Sequence, residues 1–210
     1  MEELYSGRTK YGPSMAERYA RRNPKRNAEE ARVLEALLGG LPAGGKVLDV
    51  PCGAGRIAKI LSHRGFHVTC GDLSADMVAA AGRSLDSAIP RLRADLLHLP
   101  FADQSFDHAF AIRIFHHLPT PEIRIQALRE LSRVARQKVI LTFFHPISLH
   151  SARRWIQGKL TGRPSRRARF GTKTLAAEAG EAGLEVELTR GLRPYLKDLW
   201  FAVLRASHRT

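Results

Sequence analysis

A glycine-rich turn and three aspartates are the residues of this 210-residue chain whose types and spacing could do chemistry. The stretch 47-VLDVPCGAGR-56 runs an apolar strand into Gly53 and Gly55 and leaves Asp49 at the end of the strand. Glycine lacks Cβ, so the backbone can turn tightly and come close to a ligand. The helix predicted to begin near Arg56 would offer free N–H groups to an anionic group. We therefore predict that the turn holds a nucleotide-like molecule.

The same turn allows two interpretations of that molecule. Gly53, Gly55 and Ala58 satisfy the loose dinucleotide pattern G-x-G-x-x-G/A, and Asp72 follows Gly53 by 19 residues. An NAD enzyme is therefore one alternative. Asp49 argues against it, because a carboxylate so close to the turn would repel a diphosphate and favour a cationic ligand.

Two further aspartates close the next two predicted strands. Asp72 ends the second strand, where a carboxylate can accept hydrogen bonds from two ribose hydroxyls, and Asp95 follows the third strand in 93-RADLLHLPF-101. In doubly wound sheets, ligands lie beyond the carboxyl ends of the strands. Acids at three neighbouring strand ends suit a ligand with adenosine at one end and positive charge at the other.

The elements that must position these residues alternate between strands and helices. The apolar patterns predict strands at Lys46–Val50, Phe66–Cys70, Leu92–Ala94, Phe106–Ile112, Val139–Phe144, Leu184–Thr189 and Leu199–Leu204. They predict helices near Met15–Arg22, Glu29–Leu38, Arg56–Gly65, Ser74–Ser84, Pro121–Ala135 and Thr174–Ala182. This alternation predicts an α/β fold, a doubly wound seven-stranded sheet that is mostly parallel, with the last two strands as an antiparallel hairpin.

Size and composition indicate one cytoplasmic domain over residues 1–210. The first residues are too polar for a signal peptide, and no apolar run approaches the length of a membrane span. Two cysteines are too few for a disulfide framework or a Cys-built zinc site. We predict an N-terminal basic arm at about 1–27 and a basic, lid-like insert at about 147–172.

The formal net charge of +14 can attract nucleic acid, anionic membrane or acidic substrates. It could also reflect a coding bias, since arginine outnumbers lysine 26 to 8. The distribution is more informative than the total. Between Leu131 and Ala177 there is no Asp or Glu but there are eleven Lys and Arg residues, which places the excess charge around the predicted insert.

Four stretches together resemble one enzyme family. They are VLDVPCGAGR, 71-GDLSADMVAAA-81, RADLLHLPFADQSFD and 113-RIFHHLP-119, in that order, within roughly Lys46 to Leu141. In order and spacing they resemble the class I S-adenosylmethionine-dependent methyltransferases of the broad small-molecule, methyltransferase-11-like type. The resemblance implies a Rossmann-like sheet with one antiparallel strand, S-adenosyl-L-methionine as cofactor and methyl transfer as activity.

The resemblance implies cofactor binding by Asp49, Gly53, Gly55, Asp72, Leu73, Met77, Asp95, Leu96 and Arg113. Asp49 would hold the turn and lie near the methionine ammonium, and the two glycines would let the backbone approach. Asp72 would accept from the ribose hydroxyls, and Asp95 would accept from the adenine amino group.

The remaining implied contacts surround the adenine and the methionine end. Leu73 and Met77 would flank the adenine, and the Leu96 N–H would donate to a ring nitrogen. Pro51 departs from the family pattern, which usually has glycine there, and removes one N–H from the turn. Arg113 is also unusual. It could pair with a carboxylate of cofactor or substrate, or with a neighbouring acid of the protein.

The chemistry of methyl transfer is an in-line displacement, so the main task of the protein is positioning. A general base is needed only if the acceptor carries a proton that must leave. His116, His117 and His145 follow the fourth and fifth strands, and a histidine can serve as a base near neutral pH. We select His116 as the candidate; the alternative for each histidine is a packing role in a loop. The histidine spacing indicates no metal site.

Three acceptor classes remain open, and a non-catalytic cofactor-binding partner subunit is a further alternative. The first is a small or medium-sized metabolite, anionic if the insert binds it through Arg153, Arg154, Arg163 and Arg166. The second is a membrane-associated substrate, reached if 149-LHSARRWIQGKL-160 lies on anionic lipid. The third is RNA, for which the insert supplies only Trp155 and Phe170 as stacking residues. We rank them in that order.

Overall fold

The structure is a computed structural model that describes residues 24–149, 153, 157, 168–194 and 196–206. The helix predicted near Met15–Arg22, most of the N-terminal arm and most of the basic insert lie outside these residues. The last residues assigned to the arm, from Pro24 onward, belong to the first helix of the domain.

Thirteen segments of regular structure follow one another along the described residues. The strands are β1 (Lys46–Asp49), β2 (His67–Asp72), β3 (Arg91–Arg93), β4 (Phe106–Ala111), β5 (Ala135–Phe144), β6 (Leu184–Gly191) and β7 (Leu199–Ala206). The helices are α1 (Pro24–Leu38), α2 (Arg56–His63), α3 (Ala75–Ser84), α4 (Pro121–Val134) and α5 (Thr172–Glu181). A short 3₁₀ turn, Phe115–His117, lies between β4 and α4.

One seven-stranded sheet carries the whole described fold, in the order β3-β2-β1-β4-β5-β7-β6. The first five strands pair in parallel, and β7 pairs antiparallel to both β5 and β6. This confirms the predicted fold. Because β3, β2, β1 and β4 are parallel neighbours, their carboxyl ends meet along one edge of the sheet.

Two element boundaries differ from prediction by more than two residues, each for a physical reason. Helix α1 begins at Pro24 instead of Glu29, because proline is favoured in the first turn, where its missing N–H costs nothing. Strand β5 begins at Ala135 instead of Val139 and pairs there with Phe106 of β4. The three residues after Ala135 are polar and exposed or partly exposed, so this part of the strand lacks the apolar pattern by which a buried strand is recognised.

The core is a layer of side chains on each face of the sheet. Leu34 of α1 and Leu61 of α2 are fully buried against one face, with Phe110 of β4. Leu128 of α4 and Leu175 of α5 are fully buried against the other. Covering both faces leaves the strand ends as the place where polar side chains can meet a ligand.

A buried ion pair joins α4 to α5. The Arg124 Nε atom donates to Glu178 at 2.8 Å, and a second, short hydrogen bond runs between the same two side chains. The Arg124 guanidinium also lies 4.6 Å from the centre of the Phe170 ring. This pair holds the segment before α5 against the carboxyl edge of the sheet. Nothing in the sequence pattern predicted it.

The described helices include no candidate for a transmembrane span, because none is both long and apolar enough to cross a bilayer.

Candidate functional site

Asp49 ends the central strand β1 and is fully buried. Its Oδ2 atom accepts a hydrogen bond from the Ala58 N–H at 3.0 Å, which fixes the first turn of α2. Its Oδ1 atom has no hydrogen-bond partner among the described residues. Burial raises the pKa of Asp49 to about 8, although the nearby Arg56 charge and the Ala58 N–H oppose the rise. A buried carboxyl with an open oxygen calls for a cationic partner.

The glycine turn follows Asp49 directly. Gly53 and Gly55 both have left-handed backbone conformations, with φ of 55° and 85°. A Cβ built on Gly53 would meet no described atom within 4 Å, so this face of the turn is open to a ligand. A Cβ on Gly55 would lie 2.8 Å from the Leu85 side chain, so that glycine is required by packing as well as by φ.

Gly55→Ala should therefore destabilise the fold by about 1–3 kcal/mol, because it combines a strained φ with a steric overlap. Gly180→Ala is the matched control. It lies in α5 with open space around its Cβ position, and alanine should stabilise the helix by about 0.5–1 kcal/mol. Urea denaturation of both variants measures the two effects, and equal midpoints would contradict the assignment of Gly55.

Asp72 holds the turn from the neighbouring strand β2. Its Oδ2 atom accepts from the Gly53 N–H and its Oδ1 atom from the Ser74 N–H, both at 2.9 Å. Burial raises the pKa of Asp72, and the two N–H donors oppose the rise. Met77, in the first turn of α3, packs against Ala54 of the turn. The structure thus brings Asp72, Met77 and the glycine turn into contact.

Asp95, Leu96 and Leu73 lie further along the same edge. Asp95 comes shortly after β3, which pairs with β2, and its Oδ1 atom accepts from the Leu97 N–H at 3.0 Å. Leu96 is buried and Leu73 is partly exposed. The three aspartates therefore follow three adjacent strands in the order β3, β2 and β1, as the sequence analysis expected. Their contacts with a cofactor stay predictions.

A cluster that the sequence analysis missed lies at the β1–β4 side of this edge. Glu30 of α1 is fully buried and binds Arg113 through both carboxylate oxygens, at 2.7 to 3.0 Å. The Arg56 Nη2 atom lies 3.2 Å from the same carboxylate. Burial raises the pKa of Glu30, but the hydrogen bond and charge of Arg113 and the charge of Arg56 outweigh this and lower it overall. Two cations share one carboxylate, so the cluster is positively charged.

Arg113 thus forms the ion pair with an acid of the protein that the sequence analysis gave as its alternative. Its backbone is left-handed, with φ of 65°, and its N–H donates to Thr142 Oγ1 at 2.7 Å. Its cofactor contact stays a prediction. One signal could have found its partner: Glu30 precedes the buried Leu34 by one helical turn, and a carboxylate on the buried face of a helix needs a cation.

His116 lies apart from the aspartates, beyond β4. Its ring is buried and stacks on Phe144 with 4.1 Å between ring centres and 14° between planes. The His117 ring centre lies 4.2 Å from it, and the His116 carbonyl accepts from the Ala168 N–H at 3.0 Å. These contacts show a packing role. A role as general base stays a prediction.

The two cysteines supply no reactive nucleophile, and the described residues supply no metal cluster. Cys52 and Cys70 are buried free thiols, and hydrogen bonding between them, together with burial, raises the pKa of Cys52. Cys52 is thus a poor nucleophile. No group of three or more His, Cys, Asp or Glu side chains in the described part of the chain could hold a metal ion.

The unpartnered atoms of the site complement an amino-acid zwitterion attached to adenosine. Besides the Asp49 Oδ1 atom, the buried Nη1 atom of Arg56 has no hydrogen-bond partner among the described residues. An ammonium group fits the former and a carboxylate the latter, and the two side chains are close enough to interact electrostatically. With the open face of Gly53, these residues fit S-adenosylmethionine.

Comparisons with known proteins agree with this fit. A family profile described as "Methyltransferase domain" matches residues 48–143. The methyltransferase GfsG of Streptomyces halstedii is 37% identical over 100 residues, 45% of this chain and 35% of the relative. "Probable tRNA methyltransferase 9B" of Bos taurus is 36% identical over 91 residues, 43% of this chain and 19% of the relative. The chain thus matches about a third or less of the length of these relatives.

A solved structure shows the same fold. Magnesium protoporphyrin IX methyltransferase of Synechocystis, crystallised with bound SAH, superposes with a TM-score of 0.70 at 20% identity, covering 86% of this chain and 84% of the other. At this identity the likeness concerns the fold. The substrates named for these proteins differ, so the comparisons leave the acceptor of this chain open.

Proposed function

We propose that this chain, whose residues 48–143 form a domain of the class I S-adenosylmethionine-dependent methyltransferase family, methylates a small or medium-sized metabolite. The observation that carries the proposal is the buried Asp49 with one open oxygen, beside a glycine turn whose Gly53 face is open. The ammonium group of S-adenosylmethionine would stabilise the ionised form of this carboxyl, whereas a diphosphate would disfavour it.

The protein's own residues would hold the cofactor from both ends. Asp49 would bind the ammonium and Arg56 the carboxylate, while Asp72 would accept from the ribose hydroxyls without releasing the Gly53 N–H. When bound, the cofactor supplies an electrophilic methyl group on a sulfonium. The protein's task is then to orient the acceptor in line with that group and to exclude water.

The acceptor side is proposed to be the edge formed by the ends of β4, β5 and β7. If the acceptor carries a proton that must leave, His116 is the candidate base, although its stacking on Phe144 requires that an acceptor reach a buried ring. The part of the arm before Pro24 and the insert at 147–172 are proposed to cover this side. A cytoplasmic location is likewise part of the proposal.

Lipid and RNA acceptors are the alternatives. The similarity to a protein named as a tRNA methyltransferase keeps RNA open, and the exposed Ile147 and Leu149, at the start of the insert, are compatible with a lipid surface. A metabolite is favoured because the end of β5 and the start of β7 present a compact set of polar and aromatic groups, described below.

Calorimetric titration with S-adenosylhomocysteine and with NADH tests the proposal. The wild-type protein should bind the former and not the latter. Asp72→Ala should weaken S-adenosylhomocysteine binding about 10- to 100-fold, because charge-assisted hydrogen bonds are lost. Asp76→Ala, which removes a carboxylate from the first turn of α3, is the matched control and should leave binding unchanged.

Three outcomes would contradict the proposal: NADH binding, no binding of S-adenosylhomocysteine to folded protein, or equal affinity in Asp72→Ala. Circular dichroism shows whether Asp72→Ala is folded. A non-catalytic subunit is distinguished afterwards, because it would bind the cofactor yet leave a panel of metabolites, lipids and RNA unmethylated.

A further inference from the structure

The segment Ala168–Phe170 returns the chain to the carboxyl edge of the sheet. The Ala168 N–H donates to the His116 carbonyl and the Phe170 N–H to the Phe144 carbonyl, both at 3.0 Å. The Phe170 ring stacks on Phe143 of β5 at 5.4 Å and lies beneath the buried Arg124 guanidinium. The backbone of Arg169 is therefore fixed on both sides, and its side chain has a defined place at this edge.

The Arg169 side chain has donors that the protein does not use. Its Nε and Nη2 atoms are buried and have no hydrogen-bond partner among the described residues. The Asp198 Oδ2 atom lies 4.0 Å from Nη2, beyond hydrogen-bond distance. Burying such donors unpaired is unfavourable, and most buried polar groups in folded proteins have a partner. A ligand oxygen would satisfy them.

A second unused donor lies in the same group of residues. The Trp200 Nε1 atom is also buried without a hydrogen-bond partner in the described part of the chain. Asp198 directly precedes β7, and its carbonyl accepts from the His145 N–H, which continues the pairing of β5 with β7 by one residue. Asp198 and Trp200, two residues apart, therefore face the same side of the sheet, the side on which Asp198 approaches Arg169. The His145 ring stacks on Trp200, with 4.7 Å between ring centres and 26° between planes.

The charges around Arg169 are compatible with a bound anion. Asp198 is the acidic side chain near Arg169, and it lies on the Nη2 side of the guanidinium. An arginine has five donors in a planar fork and can serve two carboxylates at once. The chain has no acid between Leu131 and Ala177.

We infer that Arg169 and Trp200 form a binding site for an oxyanion group, a carboxylate or a phosphate, on the methyl acceptor. The inference rests on the proposed function and specifies its substrate class. Arg169 would hold the oxyanion through Nε and Nη2, Trp200 would donate a third hydrogen bond, and the rings of Trp200 and His145 would lie against a planar part of the acceptor. The anchored group is distinct from the atom that receives the methyl group.

Calorimetry on the protein saturated with S-adenosylhomocysteine tests this, with benzoate, phenyl phosphate and neutral benzamide as probes. At least one of the two anions should bind, and a preference for benzoate or for phenyl phosphate identifies a carboxylate or a phosphate site. Neutral benzamide should bind more weakly than the preferred anion by about 10-fold or more. Arg169→Met should weaken anion binding about 10- to 100-fold. Lys173→Met, the matched control at an exposed position of α5, should have little effect.

Two further variants separate ligand binding from a structural role. Asp198→Asn should strengthen binding of the anion a few-fold, because it removes the competing carboxylate, and a merely structural ion pair predicts no such gain. If Arg169→Met folds poorly, Arg169→Lys takes its place as the test variant. Lysine retains the charge, so this variant should keep part of the affinity for the anion.

The inference is overturned if neither anion binds the wild-type complex, or if both bind Arg169→Met as well as they bind the wild type. S-adenosylhomocysteine is titrated first in every variant. Loss of S-adenosylhomocysteine binding would contradict the proposed function. If S-adenosylhomocysteine binds but anion binding does not depend on Arg169, only the anion site is contradicted.

Discussion

Asp49→Asn is expected to weaken S-adenosylhomocysteine binding about 100-fold and, in the ligand-free protein, to raise the melting temperature. The amide cannot pair with an ammonium group as a carboxylate can, which costs a buried charge-assisted interaction. Without ligand, however, the amide oxygen still accepts from the Ala58 N–H, and no charge is buried. Asp49 thus destabilises the ligand-free protein but is required for tight binding of the ligand.

The pH dependence of the wild type follows from the same residue. In the folded, ligand-free protein the pKa of Asp49 is raised from 3.8 to about 8, so between these values the folded state retains a proton that the unfolded state has lost. Stability therefore falls as pH rises through this window. Asp49→Asn removes this loss, and its melting temperature should exceed that of the wild type by about 4 °C or more at pH 8.5.

Ligand binding should show the opposite trend. An ammonium group binds the ionised carboxylate, so binding releases a proton at pH 7, and affinity should rise with pH until about 8. Calorimetry in buffers of different ionisation enthalpy measures the proton release. Asp49→Asn should release none at this residue.

Two controls make the result specific. 5′-Methylthioadenosine lacks the amino-acid part and should bind Asp49→Asn and the wild type equally. Asp76→Asn changes a neighbouring acid in the same way and should leave both ligands unaffected. Equal loss of both ligands in Asp49→Asn would show a collapsed turn instead of a lost ammonium contact, and would contradict the assignment.

Glu30→Gln should destabilise the fold by about 3 kcal/mol, because it leaves the buried Arg113 and the half-buried Arg56 without their shared carboxylate. This corresponds to a fall in melting temperature of about 6–12 °C. Glu35→Gln, on the exposed face of the same helix, is the control. Its carboxylate lies 3.6 Å from Arg64 at the surface, and its loss should change stability by less than about 1 kcal/mol.

The sign of the pH effect gives an independent check on Glu30. Its pKa is lowered from the usual 4.5, so its contribution is complete above that value and is lost as pH falls through the lower folded value. The difference between wild type and Glu30→Gln should therefore shrink below pH 4.5. A double-mutant cycle with Arg113→Met should show a large coupling, and simple additivity would contradict the ion pair.

Local chemistry is the part of this protein that its sequence predicts well. A helix was predicted over Ser74–Ser84, and the structure has it over Ala75–Ser84, capped by the Ser74 side chain, which accepts from the Met77 N–H. Apolar runs likewise indicated all seven strands. Such signals need only neighbours within a turn or a strand, so they are readable in order along the chain.

Such local signals could not identify the ion-pair partners that are distant in sequence. Glu30 and Arg113 are 83 residues apart, and Arg124 and Glu178 are 54 apart. Glu30 has one local signal, its place on the buried face of α1, but the other three side chains look like ordinary surface charges in their own helix or loop. Packing buries them, and only burial makes pairing obligatory.

The amino-acid sequence by itself determined the fold, the glycine turn and the order of aspartates along it, because hydrophobic periodicity and left-handed glycines are local properties. Tertiary structure alone decided that Asp49 is buried with an open oxygen, that Glu30 takes up Arg113, and that the described residues leave buried donors of Arg169 and Trp200 without a partner. Burial sets the pKa of a carboxyl and the need of a donor for a partner, and burial exists only once the sheet, helices and returning segment pack together.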